Sequence, residues 1–164
     1  MNSSDKIVTL DVLSGMIEGA RPYGKTFVLA NGIFDLLHAG HVRYLEAARR
    51  EGNVLIVAIN SDESARQLKG PGRPILDERA RAELVAALAA VDSVVIFREL
   101  NVERLLEVLR PDVHAKGTDY TPDTVPERAI AARLGIRVAI VGDPKHHSTS
   151  DLFSRIRSAA TSRP

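Results

Sequence analysis

Short runs of apolar and β-branched residues alternate along the chain with longer segments of helical periodicity. The apolar positions within these runs are nearly continuous, which is typical of parallel strands that are buried on both faces. The predicted strands cover residues 26–30, 54–60, 93–97, 113–116 and 137–141. This alternation predicts a Rossmann-like α/β fold, a doubly wound parallel five-stranded sheet with helices on both faces and right-handed crossovers.

Apolar stripes and end signals place helices between these strands. Asn101 is the predicted N-cap of the helix over residues 102–109, and Pro111 ends that helix. Gly135 ends the predicted helix over residues 125–134. The predicted helices cover residues 41–50, 81–91, 102–109, 125–134 and 149–160. We expect residues 1–24 to form a helical N-terminal extension ahead of a single domain over residues 25–164.

The composition is that of a folded domain without a strong electrostatic preference. Hydrophobic residues make up 45% of the 164 residues, charged residues make up 26%, and the formal net charge is +1. This balance gives no general attraction to nucleic acid or to a membrane, so neither is an expected partner. The absence of cysteine excludes cysteine nucleophiles and Cys-ligated zinc. Residues 1–20 lack the apolar core of a secretory signal and no apolar run is long enough to span a bilayer, so we expect a cytoplasmic protein.

Polar residues directly follow four of the five predicted strands. They lie at residues 31–35, 60–63, 116–120 and 142–149. In doubly wound folds, ligands bind outside the carboxyl ends of the strands, at the point where the strand order reverses. We therefore expect these four loops to converge on one binding site.

The first of these loops leads from a strand into a helix and carries two glycines and two histidines. Gly32 and Gly40 permit a ligand to approach the main chain closely, and a helix N-terminus favours an anion. His38 and His41 can add hydrogen bonds to a phosphate. Their spacing alone is equally compatible with a capping residue and a packed core residue. Metal binding is not expected, because the nearest carboxylate, Asp35, precedes the helix and no His-Glu-x-x-His pattern follows.

The whole segment from Gly32 to His41 resembles the Gly-x-Phe-Asp-x-x-His-x-Gly-His signature of the cytidylyltransferase-like nucleotidyltransferase superfamily. Further segments follow in the order found in that family, at residues 58–62, 68–75, 81–92, 116–120 and 147–150. The resemblance extends over residues 26–156. It is greatest to the adenylyltransferases that act on D-glycero-β-D-manno-heptose 1-phosphate, which include the adenylyltransferase domain of ADP-heptose synthase. It implies that residues 25–164 form one nucleotidyltransferase domain.

This resemblance implies transfer of AMP from ATP to a sugar 1-phosphate, with release of pyrophosphate and with Mg²⁺ as the cofactor that accompanies ATP. The residues that it implies as catalytic are His38, His41 and Lys69. Those that it implies for nucleotide binding are Asn31, Gly32, Phe34, Asp35, Gly40, Asn60, Asp62, Arg81, Lys116, Gly117, Asp119, Ser148, Thr149 and Ser150. It also implies a homodimer and a separate sugar kinase in the same pathway.

Some of these roles have alternatives. Arg79 is close enough to Arg81 to compete for its role. Asp35 and Asp119 suit structural turns as well as the positioning of a ligand. Lys69 lies on a predicted Gly/Pro-rich loop, which either closes over phosphates or remains a solvated surface loop.

The C-terminal segment departs from the family pattern, which leaves the base open, while the acceptor rests on the resemblance alone. Where the family commonly has Ser-Thr-Thr, residues 148–150 are Ser-Thr-Ser, and the basic residues 145–147 either contact phosphate or form a solvated loop. Cytidylyl, guanylyl or adenylyl transfer to another small phosphorylated acceptor, such as glycerol 3-phosphate or flavin mononucleotide, is therefore an alternative function. A nucleotide-binding regulator without catalysis is a second alternative.

Overall fold

A parallel five-stranded sheet forms the centre of the computed structural model, which describes residues 2–143 and 149–161. The strands are β1 (Phe27–Gly32), β2 (Val54–Asn60), β3 (Ser93–Phe97), β4 (Val113–Gly117) and β5 (Arg137–Val141). All neighbouring strands are parallel, in the order β3-β2-β1-β4-β5. The sheet therefore extends from β1 in both directions, and its switch point lies between β1 and β4. This confirms the predicted Rossmann-like, doubly wound α/β fold.

Helices cover both faces of the sheet, as predicted. They are α1 (Leu10–Ala20), α2 (Ala39–Arg49), α3 (Asp62–Lys69), α4 (Glu78–Ala86), α5 (Glu103–Leu109), α6 (Arg128–Leu134) and α7 (Thr149–Thr161). Residues Ser3–Lys6 and Arg21–Tyr23 form short 3₁₀ helices. Within the described ranges, no helix combines the length and the hydrophobicity needed to cross a membrane.

Successive residues of β1 face opposite sides of the sheet and belong to two separate cores. Val28 and Ala30 belong to a buried cluster that includes side chains of α2 and α4. Phe27 and Leu29 belong to a second buried cluster, with side chains of α1, α5 and α6. Burial on both faces explains why the strands are nearly continuous apolar runs in the sequence.

The N-terminal residues pack against the sheet. Leu13 and Ile17 of α1 are only 1% and 2% exposed and belong to the second core. Val8 N donates a hydrogen bond to Val94 O of the edge strand β3 at 2.9 Å. The helical character expected for residues 1–24 is present in α1, whereas the domain boundary at residue 24 stays a prediction.

One helix lies where the sequence indicated a loop. α3 begins after Ser61, whose Oγ accepts a hydrogen bond from a main-chain N–H of the first turn, and it ends at Gly70, which has a φ of 90°. Most of its residues are polar, so no long apolar stripe marks it, although Asp62 and Glu63 after a capping serine are a start signal. The sequence predicted that Lys69 lies on a loop, and this prediction was wrong, because Lys69 is the last residue of α3.

Other helix ends are explained by their caps. α4 begins before the predicted residue 81 because Asp77 Oδ1 accepts a hydrogen bond from Ala80 N at 2.8 Å. Asn101 Oδ1 accepts one from Glu103 N at 3.1 Å, but the N-cap position of α5 is Val102, so the prediction of Asn101 as the capping residue was wrong by one position. Gly135, with a φ of 71°, ends α6 as predicted.

Candidate functional site

A cavity of about 530 Å³ opens at the carboxyl ends of the strands, beside the switch point between β1 and β4. The four polar segments that were expected to converge all contribute to its wall, together with the end of α3 and the start of α7. The candidate residues that line it are Asn31, Gly32, Phe34, Asp35, His38, Gly40, His41, Asn60, Lys69, Lys116, Gly117, Asp119 and Thr149.

His38 and His41 form a stacked pair at the start of α2. Their ring centroids are 3.8 Å apart and their planes are inclined by 21°. His38 has an extended conformation at the N-cap position, and its carbonyl oxygen accepts the first hydrogen bonds of the helix, from His41 N and Val42 N. Residues three positions apart lie on one side of a helix, which brings the two rings together. The pair therefore offers imidazole donors at a helix N-terminus, where the helix dipole favours an anion.

Phe34 packs against the ring of His41, with 5.1 Å between the ring centroids and an angle of 59° between the planes. Phe34 is 4% exposed and has a φ of 51°, in the left-handed region that is uncommon for a bulky residue. Gly32 makes room for the phenyl ring, because a Cβ at that position would lie 3.0 Å from Phe34 Cε2. A strained backbone of this kind is typical of functional turns, and here it sets the position of the histidine pair.

Asp35 holds the segment that connects α3 to α4. Its side chain is only 1% exposed. Oδ1 accepts hydrogen bonds from Ile75 N and Leu76 N at 2.7 and 3.1 Å, and Oδ2 accepts one from Arg73 Nε at 2.6 Å. Of the two roles that the sequence left open for Asp35, this geometry favours bracing of the loop over contact with a ligand.

β4 contributes a buried cation, Lys116, to the cavity wall. Its side chain is 7% exposed, and Nζ lies 3.3 Å from Glu127 Oε2 and 4.7 Å from the centre of the Tyr120 ring. Nζ also lies 3.5 Å from Asn31 Oδ1. Removing two charges from water is costly, so a buried ion pair needs additional polar contacts of this kind. Lys116 thus reaches the cavity with much of its charge balanced by Glu127.

Tyr44 connects α2 to β4 and to the end of β5. Its hydroxyl donates a hydrogen bond to Ala115 O at 2.8 Å. Desolvation raises the pKa of the Tyr44 phenol, so the hydroxyl keeps its proton and remains a donor. Gly142 has a φ of 97°, and a Cβ there would lie 3.3 Å from Tyr44 Cα. The close approach of these two backbones brings the end of β5 to the cavity.

Two candidate residues, Arg81 and Asp62, lie behind the cavity and not in its wall. Arg81 is fully buried, and its Nη2 donates to Asp62 Oδ1 at 2.7 Å. Its remaining hydrogen bonds go to Leu76 O, Ile33 O and Asn60 O, at 3.0, 2.7 and 2.9 Å. This geometry supports packing of the loops and gives no support to the predicted nucleotide contacts of Arg81 and Asp62. The sequence could not indicate this, because it does not show which carbonyl oxygens surround a side chain.

Part of the predicted site lies outside the described residues. The structure does not describe residues 144–148, which include Ser148 and the basic residues 145–147, and it does not describe the side chain of Ser150. Thr149, the first residue of α7, lines the cavity. The roles assigned to Ser148 and Ser150 stay predictions.

Several residues that the sequence did not single out also line the cavity. They are Ile33, Arg43, Tyr44, Leu68, Arg73, Thr118, Tyr120, Val141, Gly142 and Asp143. Tyr44 lies three positions after His41 on the same helix, so helical spacing from the histidine motif was a usable signal. Arg73 had as its signal its place in segment 68–75, which matches the family order, close to Lys69.

The sheet order and the histidine pair at its switch point together define a class of protein. Residues 29–155 match the model of the cytidylyltransferase-like family. The chain belongs to this family, as the resemblance in its sequence had indicated.

Two curated proteins and one solved structure illustrate the similarity more closely. The bifunctional protein HldE of Geobacter metallireducens is 46% identical over 155 residues, which cover 94% of this chain and 32% of that protein. The bifunctional protein HldE of Syntrophotalea carbinolica is 45% identical over 151 residues, which cover 92% of this chain and 31% of that protein. This chain therefore spans about a third of the length of the curated relatives it matches. The crystal structure of the lipopolysaccharide core biosynthesis protein from Thermoplasma volcanium is 26% identical, with a TM-score of 0.64, and the match covers 74% of this chain and 100% of that one.

Proposed function

We propose that this chain is a nucleotidyltransferase that transfers AMP from ATP to D-glycero-β-D-manno-heptose 1-phosphate and so produces ADP-heptose and pyrophosphate. The observation that carries the proposal is the stacked pair of His38 and His41 at the N-terminus of α2, in a cavity that Lys69 and Thr149 also line. The choice of nucleotide and acceptor is supported by the similarity to bifunctional HldE proteins and by the motifs shared with heptose 1-phosphate adenylyltransferases.

The proposed reaction is a direct transfer without a covalent enzyme intermediate. An oxygen of the acceptor phosphate attacks the α-phosphorus of ATP and forms a new P–O bond. The bond from the α-phosphorus to the oxygen that bridges to the β-phosphate breaks, and its electron pair leaves with pyrophosphate. A phosphate oxygen is already anionic at neutral pH, so the attack needs no general base. The protein therefore contributes alignment of the reactants and stabilisation of charge.

The residues of the cavity suit these two tasks. The imidazole donors of His38 and His41, with main-chain N–H groups at the start of α2, stabilise the α-phosphate and the departing pyrophosphate. Lys69 adds a positive charge from the end of α3. Thr149 adds a hydroxyl donor at the start of α7.

Mg²⁺ is the proposed cofactor and accompanies ATP. Among residues 2–143 and 149–161, no three His, Asp or Glu side chains come together to hold a metal ion. In proteins, Mg²⁺ is commonly held by substrate phosphates and water with the help of one or two carboxylates. We therefore propose that Mg²⁺ enters as a complex with the triphosphate. Removal of Mg²⁺ with EDTA is expected to abolish turnover and to leave the unfolding temperature of the ligand-free protein unchanged.

We also propose that the protein is a cytoplasmic homodimer and that a separate sugar kinase acts in the same pathway. Phosphoryl transfer to a sugar, which is kinase chemistry, is one route to a sugar phosphate acceptor. The relatives are named bifunctional and are longer than this chain, which supports a second activity in those proteins. Sedimentation of the purified chain tests the dimer.

A panel of nucleotides and acceptors tests the proposed function. Pyrophosphate release is measured with ATP, CTP and GTP in each combination with heptose 1-phosphate, glycerol 3-phosphate and flavin mononucleotide, and each product is identified by its mass. We expect turnover with ATP and heptose 1-phosphate, and a strongly reduced rate for His41→Ala. Turnover with CTP and glycerol 3-phosphate alone would overturn the choice of substrates. ATP binding without turnover for any acceptor would favour the non-catalytic regulator.

A further inference from the structure

Arg73 is a cation in the cavity wall to which the proposed mechanism assigns no role. It lies in the segment between α3 and α4, and its side chain is 20% exposed. The guanidinium group has donors on Nε and on both Nη atoms, so a single contact with the protein leaves most of them available.

One edge of this guanidinium is fixed by a buried carboxylate. Arg73 Nε donates to Asp35 Oδ2 at 2.6 Å, and Asp35 is itself held by two main-chain N–H groups. Within the part of the chain that the structure describes, this is the only hydrogen bond that the Arg73 side chain makes. Both Nη groups of Arg73 therefore remain available to a ligand in the cavity.

An aromatic ring packs against the guanidinium group. Arg73 Cζ lies 4.2 Å from the centre of the Phe153 ring, which belongs to α7. An arginine that is hydrogen-bonded at one edge and packed against an aromatic ring loses little further rotamer freedom when it binds an anion. The same contact fastens α7, whose first residue Thr149 also lines the cavity.

We propose that Arg73 binds the phosphate chain of the nucleotide through its Nη groups, held in position by Asp35 and Phe153. This assignment rests on the proposed function. A guanidinium fork matches the spacing of phosphate oxygens, and the bonds are strengthened by the charges on both partners. Arg73 is held by the loop that leads into α2 and by the first turns of α7, the two helices whose N-terminal residues line the cavity. This location favours the triphosphate over the acceptor phosphate.

Calorimetric titration of the full chain tests the assignment without requiring turnover. ATP, inorganic pyrophosphate and a sugar 1-phosphate are titrated separately into the wild type, Arg73→Gln, Arg73→Lys and Arg66→Gln. Arg66 is an exposed residue of α3 outside the cavity, so its replacement removes the same charge nearby. We expect Arg73→Gln to weaken ATP and pyrophosphate binding about tenfold or more. Arg73→Lys keeps the positive charge but lacks the two parallel donors of the guanidinium group, so it should retain only part of the wild-type affinity. Arg66→Gln should bind like the wild type.

A rescue experiment separates a phosphate contact from a purely structural role. Free guanidinium ion at a non-denaturing concentration is added to Arg73→Ala, and pyrophosphate binding is measured again. Restored binding supports the contact. Absence of any rescue, in a variant whose unfolding temperature has fallen, overturns it in favour of a structural role for the Asp35–Arg73 pair.

The remaining outcomes distinguish this assignment from the proposed function. If the wild type binds ATP and pyrophosphate and Arg73→Gln binds them equally well, the assignment of Arg73 is wrong and the proposed function stands. If only sugar 1-phosphate binding is lost, Arg73 serves the acceptor and the assignment to the nucleotide is wrong. If the wild type binds neither ATP nor pyrophosphate, the proposed function itself is overturned.

Discussion

His114 Nε2 lies 3.0 Å from Asn31 Oδ1, which joins the interior of β4 to the end of β1 at the switch point of the sheet. The Asn31 oxygen is only an acceptor, so Nε2 carries the proton and donates it. Burial, together with the nearby positive charge of Lys116, lowers the pKa of His114 to about 3, so the ring is neutral at physiological pH. This hydrogen bond fixes the Asn31 amide in one orientation, in which the oxygen faces His114. The Asn31 amide nitrogen remains as a donor for a ligand in the cavity, which Asn31 lines.

The first prediction concerns the effect of this hydrogen bond on nucleotide affinity. His114→Leu removes this donor and leaves Asn31 Oδ1 with only the longer, 3.5 Å contact to Lys116 Nζ. We therefore expect the KM for ATP to rise about tenfold, which is the effect of losing one buried hydrogen bond. His114→Gln provides an amide donor of similar reach, and we expect it to retain more of the affinity. Steady-state kinetics of both variants give the comparison. Equal KM values for His114→Leu and the wild type would contradict the positioning role.

The second prediction is that His114 makes the folded state sensitive to acid. The pKa is lowered to about 3 in the folded protein, from about 6.5 in the unfolded chain. The unfolded chain therefore binds more protons between these values, and stability falls as the pH is lowered through this window. One such group changes the free energy of unfolding by about 1.4 kcal/mol per pH unit.

Urea titrations of the wild type and of His114→Gln measure this effect. Glutamine does not titrate, so other ionisable groups contribute equally to both proteins and cancel in the difference. Between about pH 6 and pH 4, we expect the wild type to lose about 2 to 3 kcal/mol more stability than the variant. Parallel stability curves for the two proteins in this range would show that His114 is not held neutral by the fold.

The fold could be predicted from the sequence because its signals are local. Apolar runs such as 54–60 follow from burial on both faces, and end signals such as Gly135 act at the end of their own helix. α3 was missed because eight mostly polar residues leave no apolar stripe to detect. Signals that extend over a few residues thus fixed the elements, and the elements fixed the place of the cavity through the general geometry of parallel sheets.

The contacts that orient the cavity residues could not be predicted, because they join residues that are distant in the sequence. Asn31 and His114 are separated by 83 positions, and Asp35 and Arg73 by 38. Lys116 was predicted as a cavity residue from its place after a strand, but its buried partner Glu127 was not. Motif spacing identifies the residues that reach a ligand, whereas the residues that orient them become visible only in three dimensions.

The third prediction is that Arg81 contributes mainly to stability. Its side chain is fully buried and bonds Asp62 and three main-chain oxygens, so Arg81→Ala removes the donor from four acceptors, of which Asn60 O lies in a buried hydrogen bond. Because the Asp62 side chain is 32% exposed, the ion pair is only partly buried, and we expect loss of this hydrogen-bond network to cost about 2 kcal/mol or more. Arg79 is exposed on the same helix, and Arg79→Ala should change stability by less than about 0.5 kcal/mol. Chemical unfolding of both variants is the measurement, and similar small effects at the two positions would disprove the structural role of Arg81.

The fourth prediction separates the chemical role of His41 from its packing. The His41 ring contacts the rings of both His38 and Phe34, so its loss affects both the local structure and the charge stabilisation. His41→Ala is expected to lower kcat by about 10²- to 10³-fold, as does the loss of one charge-stabilising donor in other acyl- or phosphoryl-transfer sites. Phe34→Leu preserves most of the apolar volume and removes only the aromatic contact. We therefore expect it to lower the unfolding temperature and to reduce kcat much less than His41→Ala does.

These two variants are compared by kcat and by thermal unfolding in the same buffer. A folded His41→Ala protein with a wild-type rate would refute the assignment of His41 to charge stabilisation. A Phe34→Leu protein as inactive as His41→Ala would show instead that the position of the ring limits the reaction. The distinction matters because a rigid donor stabilises a transition state only if its position is set before the charge develops. On that argument the backbone turn at Phe34 supplies position, which Phe34→Leu is expected to retain, and the histidines supply the hydrogen bonds that His41→Ala removes.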